Sequence, residues 1–399
     1  MRFKKVPTPP RGRVRELDAA ARRRYSARAM VMTLLLHGRH IVLPPTAASA
    51  ASAPVVYQPF GPWLVPWRIG SFDEEYAALR SGAGLIDYST QALIEVGGAD
   101  RVGFLHGLLT NDIKRLVPGA GCQAALLDAS AKVTALVLVS AEPDALWLMC
   151  DVDQASVVVA TLERYVFSEH VTITNHERRW AVFALQGPRT PELLSTVRGS
   201  DGLREPGDHL TLLVDGRALR FVRHELAGGS GVLCLVAADD ARAAWEHLLR
   251  WGRPAGLMPV GWEALNTARI EAGVPWPAID VTDANLLPET GLETMLASDT
   301  KGCYLGQEII ARLTTYGSVS RKLMGLRIEA QQVPPVGSRL CSDDQDVGWV
   351  SSACRSPALR QSVALGYLKR GWYEPGVRVD VLHGDARLPA IVARRPLLT

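Results

Sequence analysis

The sequence predicts an α+β fold in which a mixed region of helices and strands is followed by a small β-barrel. From about Tyr57 to Arg321, segments with helical and with strand periodicity alternate irregularly, as they do in chains with antiparallel sheets. No G-x-G-x-x-G motif follows a strand-like segment, which argues against a doubly wound dinucleotide-binding fold. Beyond Arg321, short strand-like runs are separated by Pro and Gly, a pattern typical of a small β-barrel of about six strands.

Composition limits the classes of partner. The chain has 399 residues, 47% of them hydrophobic, which is enough for two or three domains with their own cores. The net charge is only +3, and residues 1–40 hold 11 Lys or Arg against two acids, so the rest is mildly acidic. We therefore expect no nucleic-acid partner and no membrane partner. Six cysteines without C-x-x-C spacing predict neither a disulfide framework nor a bound metal, and they favour a reducing compartment.

Residues 1–54 are predicted to be a basic extension that ends in an Ala/Ser/Pro-rich linker. Its apolar part, residues 30–43, is interrupted by His37, Arg39 and His40 and is too short to span a bilayer. The Arg-rich start could be a transit peptide, a disordered extension, or the product of an upstream start codon. We expect a cytoplasmic location of the bacterial type, or the mitochondrial matrix if the extension is a transit peptide.

The elements of the mixed region, residues 55–320, follow in order. A first helix is predicted from Ser71, where Ser71 and Glu74 have the spacing of a capping box. The next predicted helices are 100–109, 154–165, one capped by Thr190, 238–251, 261–272 and 307–313. The predicted strands are 84–89, 91–96, 133–139, 145–150, 180–185, and a hairpin of 210–214 with 217–223 across Asp215-Gly216. The strand at 91–96 alternates as a half-buried strand should.

The last region, residues 321–399, is predicted to be the barrel. Its strands are expected at 323–328, 339–341, 347–352, 363–367, 377–382 and 387–393. Pro334-Pro335, Gly337, Pro375-Gly376 and His383-Gly384 punctuate these runs. Turn residues at such close intervals favour short antiparallel strands over helices.

The most informative stretch is residues 301–312, Lys-Gly-Cys-Tyr-Leu-Gly-Gln-Glu-Ile-Ile-Ala-Arg. Cys303 lies just before a predicted helix and two residues from Lys301. A helix N-terminus and a neighbouring ammonium both favour the thiolate form of a cysteine. We therefore predict that Cys303 is a reactive thiol and that Lys301 lowers its pKa. The alternative is that Cys303 is a small buried hydrophobic residue between glycines that only shape a turn.

Residues 301–308 resemble the K-G-C-Y-x-G-Q-E signature of the YgfZ/GcvT-like family, which are paralogues of the glycine-cleavage T-protein that assist iron–sulfur enzymes. Further segments resemble this family in the same order: 109–112, 184–188, 269–273, 287–292, 348–352 and 364–367. The resemblance covers roughly Gly61 to the C-terminus. It implies two intertwined α+β modules and a C-terminal barrel around a central hole that holds tetrahydrofolate.

The resemblance also suggests which residues bind the folate. Asp128 and Lys132 match a D-A-x-G-K turn of the family, although Ala131 replaces its glycine. Gln307 and Glu308 are expected to shape the loop or to contact the ligand.

Several other residues are candidates for the same site. Arg269 is predicted to reach the cavity from its helix, while Glu271 forms a structural ion pair. Arg312 has the spacing to pair with Glu308, or else binds the glutamate tail of the folate. Glu289 is either a ligand contact or a structural carboxylate. Three tryptophans near prolines could line the pocket: Trp63, Trp67 and Trp276.

Three polar positions of the T-protein folate site fall on apolar residues here. By the same resemblance, an acid pair that assists protonation falls on Ala135 and Leu136, a pterin-binding glutamate on Leu233, and an arginine on Leu265. A leucine can neither donate nor accept a hydrogen bond, so these substitutions argue against T-protein-style transfer.

We therefore predict a monomeric, tetrahydrofolate-binding accessory protein that supports the assembly or repair of 4Fe–4S enzymes. Its partners would be iron–sulfur client enzymes or assembly proteins. A folate-dependent aminomethyltransferase of the T-protein type is the alternative. A structural protein with a vestigial cavity is a third possibility.

Overall fold

The computed structural model describes residues 32–34, 36, 55–60 and 63–398. The predictions for the basic extension therefore fall almost entirely outside the described residues. The strands are β1 (Met32–Thr33), β2 (Val56–Phe60), β3 (Trp63–Arg68), β4 (Ala83–Asp87), β5 (Gln91–Gly97), β6 (Gly121–Leu127), β7 (Val133–Ala141), β8 (Ala145–Asp151), β9 (Thr172–Asn175), β10 (Trp180–Gln186), β11 (His209–Val214), β12 (Arg217–Arg223), β13 (Gly231–Ala237), β14 (Leu257–Pro259), β15 (Arg321–Ile328), β16 (Arg339–Ser342), β17 (Gln345–Ser356), β18 (Gln361–Lys369), β19 (Arg378–His383) and β20 (Ala386–Ala393). The helices are α1 (Phe72–Ser81), α2 (Arg101–Leu108), α3 (Val152–Arg164), α4 (Thr190–Leu194), α5 (Ala241–Gly252), α6 (Trp262–Glu271), α7 (Leu287–Thr290), α8 (Glu293–Leu296) and α9 (Gln307–Tyr316).

Two large sheets precede the barrel, in addition to a three-stranded sheet in the order β1-β3-β2. One has five antiparallel strands in the order β6-β7-β8-β5-β9, and the other has six strands in the order β11-β12-β13-β10-β4-β14. All neighbouring pairs in the second sheet are antiparallel except β14 with β4. The chain passes from one sheet to the other between β4 and β5 and again between β9 and β10, so the two modules are intertwined. The predicted α+β class is thus confirmed.

Amphipathic helices cover these sheets. On α3 the buried residues are Val152, Ala155, Val158 and Leu162, a helical spacing that turns one apolar face to the five-stranded sheet. On the six-stranded sheet, Trp245 of α5 meets Phe183 edge to face with ring centroids 5.3 Å apart. Each sheet therefore has its own helix-covered core.

The C-terminal strands close into the predicted six-stranded barrel, in the order β15-β18-β17-β16-β19-β20. Inward-facing aliphatic residues alternate along its strands, as Met324, Leu326 and Ile328 do on β15. Helix α6 lies against the outside of the barrel at β17 and β18. The barrel is consequently joined to the mixed region through α6, and not only through the chain connection before Arg321.

Several local predictions were wrong. Ser71 occupies the N-cap of α1, but its side chain makes no capping hydrogen bond. Glu75, not Glu74, accepts backbone N–H groups, at residues 69, 70 and 261. Strand β5 is buried at nearly every position instead of on alternate faces, because it lies between β8 and β9 and beneath α3. The short strands β2, β3, β9, β13 and β14 were not predicted.

Within the described residues, no helix is long and apolar enough to cross a bilayer.

Candidate functional site

A cavity of about 310 Å³ lies beside the five-stranded sheet. Its walls come from strands β5 to β8, from the segment after β12, from the segment after α6, and from α8. Its lining is mostly apolar, with contributions from Leu136, Leu138, Met149, Leu226, Val274, Trp276, Leu292 and Leu296. This volume is at the lower end of the range for pockets that hold small organic ligands.

One polar group of the cavity stands at the end of β8. Asp151 pairs with Gln91 across β8 and β5, and the Gln91 side-chain amide donates a hydrogen bond to Asp151 Oδ1. The pKa of Asp151 is raised to about 7, mainly by burial. The hydrogen bond from Gln91 opposes this shift, and the neighbouring Asp153 carboxylate adds to it. Tyr88 also lines the cavity, and burial raises the pKa of its phenol, so it stays neutral. The sequence did not suggest Asp151, since no local motif marks it.

The opposite wall carries an imidazole and a second carboxylate. His224 Nδ1 lies 3.3 Å from Gln123 Nε2. Burial and the nearby Arg223 lower the pKa of His224 to about 4, so its ring is neutral at neutral pH. Glu225 accepts a hydrogen bond from the Arg223 guanidinium, and its side chain is 44% exposed.

Trp276 gives the cavity an unused hydrogen-bond donor. Its side chain is buried, and its Nε1–H has no partner within the described structure. The Phe60 ring meets the Trp276 ring edge to face, with centroids 5.1 Å apart. The Trp262 ring lies at a steep angle to the Trp276 ring, with centroids 5.5 Å apart. A buried indole N–H normally has an acceptor, so this one is available to a ligand. Of the three tryptophans that could line a pocket, Trp276 is the one that faces this cavity.

Arg269 does not reach the cavity, which corrects its predicted role. Its guanidinium is buried and pairs with Asp280, and Nη2 donates to Ser352 Oγ at 2.7 Å. It also lies 4.2 Å from the centroid of the Trp276 ring. Arg269 therefore fastens α6 to the barrel and positions Trp276. Glu271 has a structural role, as predicted. Its carboxylate accepts hydrogen bonds from the Tyr76 and Ser356 hydroxyls, however, instead of pairing with a cation.

A second depression, of about 540 Å³, adjoins the cavity and shares Gly273 and Leu292 with it. Its basic side chains are Lys322, Arg394 and Arg395, and Glu293 is among its acids. Much of the hydrogen-bonding capacity of the Arg395 guanidinium is already used, because it donates to the carbonyls of Gly273 and Thr290. Within the described residues, Lys322 and Arg394 form no ion pair, so they can meet an external anion.

The predicted role of Lys301 conflicts with its contacts. Its ammonium donates to the backbone carbonyls of His106, Leu109 and Asn111, with distances of 2.6 Å to His106 and 2.9 Å to Asn111. These carbonyls end helix α2, where a cation is favourable. An ammonium has three protons, and all three are used, so none remains for the Cys303 thiol. Burial lowers the pKa of Lys301 to about 8.

The rest of the 301–308 loop is exposed to different degrees. Cys303 is exposed, which excludes the alternative of a buried cysteine, but it does not line the cavity. The Gln307 side chain accepts the Tyr304 N–H at 3.2 Å and so ties the loop to the first turn of α9. Glu308 and Arg312 are both exposed, and neither has an ion-pair partner in the described structure.

The predicted Asp128–Lys132 turn lies against this loop. Asp128 Oδ1 accepts the backbone N–H groups of Ser130 and Lys132, at 2.8 and 2.9 Å, and so closes the turn. Ala131 has a φ of 62°, a left-handed conformation. Gly306, with a φ of 84°, fits so closely that an added Cβ would lie 3.0 Å from the Asp128 carbonyl oxygen. Asp128 and Gly306 therefore hold two motifs together, and Lys132 is exposed at their edge.

Glu289 has structural partners. Its carboxylate is buried, accepts the Leu286 N–H at 3.1 Å, and pairs with Arg321 Nε at 3.0 Å. Because Arg321 begins β15, this ion pair links α7 to the barrel. The structural option for Glu289 thus has direct contacts in its favour.

Sequence comparison identifies the family. The model of the GCVT N-terminal domain matches residues 48–300, and that of the glycine cleavage T-protein C-terminal barrel domain matches residues 321–398. The chain belongs to the glycine cleavage T-protein family. The finer assignment to the YgfZ branch is not shown by these matches.

Relatives of the T-protein family align over most of their length. An aminomethyltransferase of Halalkalibacterium halodurans is 29% identical over 84% of this chain and 92% of its own. An aminomethyltransferase of Bacillus subtilis is 26% identical over 84% of this chain and 93% of its own. In structure, the glycine cleavage system aminomethyltransferase T from Bartonella henselae matches with a TM-score of 0.80 at 23% identity, over 92% of this chain and 98% of that one. This last likeness shows the shared fold.

By the T-protein resemblance, the acid pair falls on Ala135 and Leu136, the glutamate on Leu233, and the arginine on Leu265. Leu136 lines the cavity, so an acid at that position would have faced a ligand. Leu233 and Leu265 are fully buried in the core of the mixed region. The cavity nevertheless carries an acid one strand away, because β7 pairs with β8, and β8 ends in Asp151.

Proposed function

We propose that the cavity binds a tetrahydrofolate derivative and that the protein transfers a one-carbon group to or from it. The observation that carries this proposal is an apolar cavity that adjoins a basic depression and is lined by Trp276, whose buried N–H has no partner in the described residues. A folate has a flat heteroaromatic head with hydrogen-bonding edges and an anionic glutamate tail. The head suits the cavity and the tail suits the depression.

The residues present fit such a ligand. Trp276 can donate to a ring acceptor, and the side chains of Gln91 and Gln123 offer amide groups. Aromatic and aliphatic walls favour a planar ring. At the depression, Lys322 and Arg394 match a carboxylate. When bound, a folate would supply the nitrogen atoms that carry a one-carbon group.

Aminomethyl transfer is the use of folate that the comparisons favour. The relatives that cover most of this chain are named aminomethyltransferases. The apolar residues at positions 135, 136, 233 and 265 argue against this alternative. The presence of Asp151 in the same cavity weakens that objection, since an acid is available from the neighbouring strand.

Calorimetry with tetrahydrofolate tests the binding site. We expect Trp276→Phe, which removes only the N–H donor among the polar groups, to weaken binding about tenfold. Trp251→Phe is the matched control, because the Trp251 N–H bonds Thr196 and lies outside the cavity. Equal affinities of wild type and Trp276→Phe would remove Trp276 from the site, and no heat with the wild type would end the proposal.

The basic depression has its own test. Arg394→Gln should weaken binding of tetrahydrofolate but leave unchanged the binding of a tetrahydropterin that lacks the glutamate tail. Arg378→Gln, an exposed arginine on the barrel outside the depression, is the control. A similar loss for both ligands would contradict the placement of the tail.

Transfer itself can be measured with methylenetetrahydrofolate and an amine acceptor. Formation of tetrahydrofolate at enzyme-like rates would support the transferase proposal. Binding without transfer would favour the second candidate.

The second candidate is the predicted accessory role toward 4Fe–4S enzymes, and the exposure of Cys303 favours it. A thiol on an exposed loop is accessible to a partner protein, whereas the buried cysteines Cys150, Cys234, Cys341 and Cys354 are not. We would measure reactivation of a purified, oxygen-inactivated 4Fe–4S dehydratase. Faster recovery with the wild type but not with Cys303→Ser supports this role, and no effect of the wild type contradicts it. The monomeric state and the iron–sulfur partners stay predictions.

A further inference from the structure

Two carboxylates line the cavity, and their surroundings differ. Glu225 accepts a hydrogen bond from the Arg223 guanidinium. Asp151 has no cation beside it in the described structure, and its hydrogen-bond donor is the neutral Gln91 amide. One carboxylate of the cavity therefore has a cation as its hydrogen-bond donor, and the other has a neutral amide.

The position of Asp151 is not explained by a structural role. It occupies the N-cap of α3, where an Asp side chain usually accepts a backbone N–H of its helix. Here it makes no such bond. The hydrogen bond from Gln91 engages Oδ1 and holds the carboxyl toward the cavity, whose lining includes both residues. Its remaining hydrogen-bonding capacity is therefore directed at whatever occupies the cavity.

We propose that Asp151 exchanges a proton with an amine nitrogen of the ligand bound in this cavity. Because this role presupposes that the cavity binds a folate, it rests on the proposed function. When the carbon–nitrogen bond to the departing nitrogen breaks, that nitrogen keeps the electron pair and takes the proton of the Asp151 carboxyl. The carboxylate then accepts the proton that the incoming nitrogen loses as its new bond to carbon forms. No oxidant or reductant is needed.

The groups around Asp151 allow its carboxyl to change charge near neutral pH. Tyr88, before β5, and Cys150, on β8, have pKa values raised by burial and stay neutral. From α3, Asp153 adds a like charge that stabilises the protonated form. Across the cavity, His224 is neutral and Glu225 is paired with Arg223. With a pKa of about 7, Asp151 populates both protonation states at physiological pH, as an efficient general acid and base must.

Calorimetry in buffers of different ionisation enthalpy measures the protons exchanged on binding. With the wild type and tetrahydrofolate at pH 7, we expect exchange of about half a proton, because Asp151 is then about half protonated. Asp151→Asn, which keeps the acceptor for Gln91, should reduce the exchange to near zero while binding persists. Asp144→Asn is the control, because Asp144 is exposed in the turn before β8 and does not line the cavity. It should exchange protons like the wild type.

The outcomes separate this inference from the proposed function. If tetrahydrofolate binds but Asp151→Asn exchanges as many protons as the wild type, the inference is wrong and the binding site stands. If the wild type binds no tetrahydrofolate, the proposed function fails and the inference fails with it. Carboxyl NMR on the ligand-free protein gives a second readout. A resonance that titrates between about pH 6 and pH 8 and is missing in Asp151→Asn supports the inference, and titration of Asp151 below about pH 5 contradicts it.

Discussion

The 301–308 loop and the cavity wall around Asp151 both carry versatile side chains, but they use them differently. In the loop, Lys301 gives all three protons to carbonyls and Gln307 accepts a backbone N–H. In the cavity, the Trp276 N–H has no partner and Asp151 makes no capping bond. Polar groups whose hydrogen bonds are complete hold the fold together, whereas groups with unused capacity can serve a ligand.

The largest expected effect concerns the network that supports the cavity from behind. Arg269→Met would leave the Asp280 carboxylate buried without its cation, although Ser351 and Ser352 still donate to it. Breaking one half of a buried pair costs about 3–5 kcal/mol. We expect that loss in the free energy of urea unfolding. Arg312→Met, on the exposed face of α9, should change it by less than about 0.5 kcal/mol. A small effect of Arg269→Met would show that this arginine is not structural.

The next prediction concerns the structural role of Lys301. Lys301→Met removes the donor for three carbonyls at the end of α2, and we expect unfolding to become easier by about 2–3 kcal/mol. Cys303→Ala, two residues away but exposed, should stay within about 0.5 kcal/mol of the wild type. Thermal unfolding of both variants checks this. If Lys301→Met instead left stability unchanged and altered only thiol reactivity, its predicted catalytic role would regain support.

A smaller effect is expected where the loop docks on the 128–132 turn. Gly306→Ala would place a methyl 3.0 Å from the Asp128 carbonyl oxygen at a φ of 84°, so we expect a loss of about 2 kcal/mol. Gly302→Ala is the matched control, because a Cβ there meets no atom within 4 Å. Chemical denaturation compares the two variants. Equal stabilities would show that the turn and the loop do not need this close contact.

The predictability of each region depends on how local its causes are. The barrel strands could be predicted because their signals are local in the sequence: alternating aliphatic residues within each strand, and Pro or Gly turns next to it. The path of the Arg269 side chain could not, since its partner Ser352 is 83 residues away on β17. Asp151 was missed for a similar reason. Its environment depends on the pairing of β8 with β5 and on the segment after α6 closing the cavity.

The smallest predicted effect distinguishes the cavity from the loop by pH. Burial raises the pKa of Asp151 to about 7 from an ordinary 3.8, so the folded protein holds a proton that the unfolded chain releases. Stability attributable to this group is therefore full below about pH 4 and is lost as the pH rises toward 7. A shift of this size corresponds to about 4 kcal/mol at most, and solvent in the cavity reduces it. Asp151→Asn has no charge to bury, so we expect it to be about 1–2 kcal/mol more stable than the wild type at pH 8.

That gain should shrink toward zero near pH 4, where the wild-type carboxyl is protonated in both states. Glu225→Gln provides the contrast, because the Glu225 carboxylate accepts a hydrogen bond from the Arg223 guanidinium. It should lose up to about 1 kcal/mol at pH 8, the opposite sign. Urea unfolding of the three proteins at pH 4, 6 and 8 measures both. If the stability gain of Asp151→Asn did not depend on pH, its cause would be packing and not the buried charge. The distinction between the loop and the cavity would then lose its electrostatic basis.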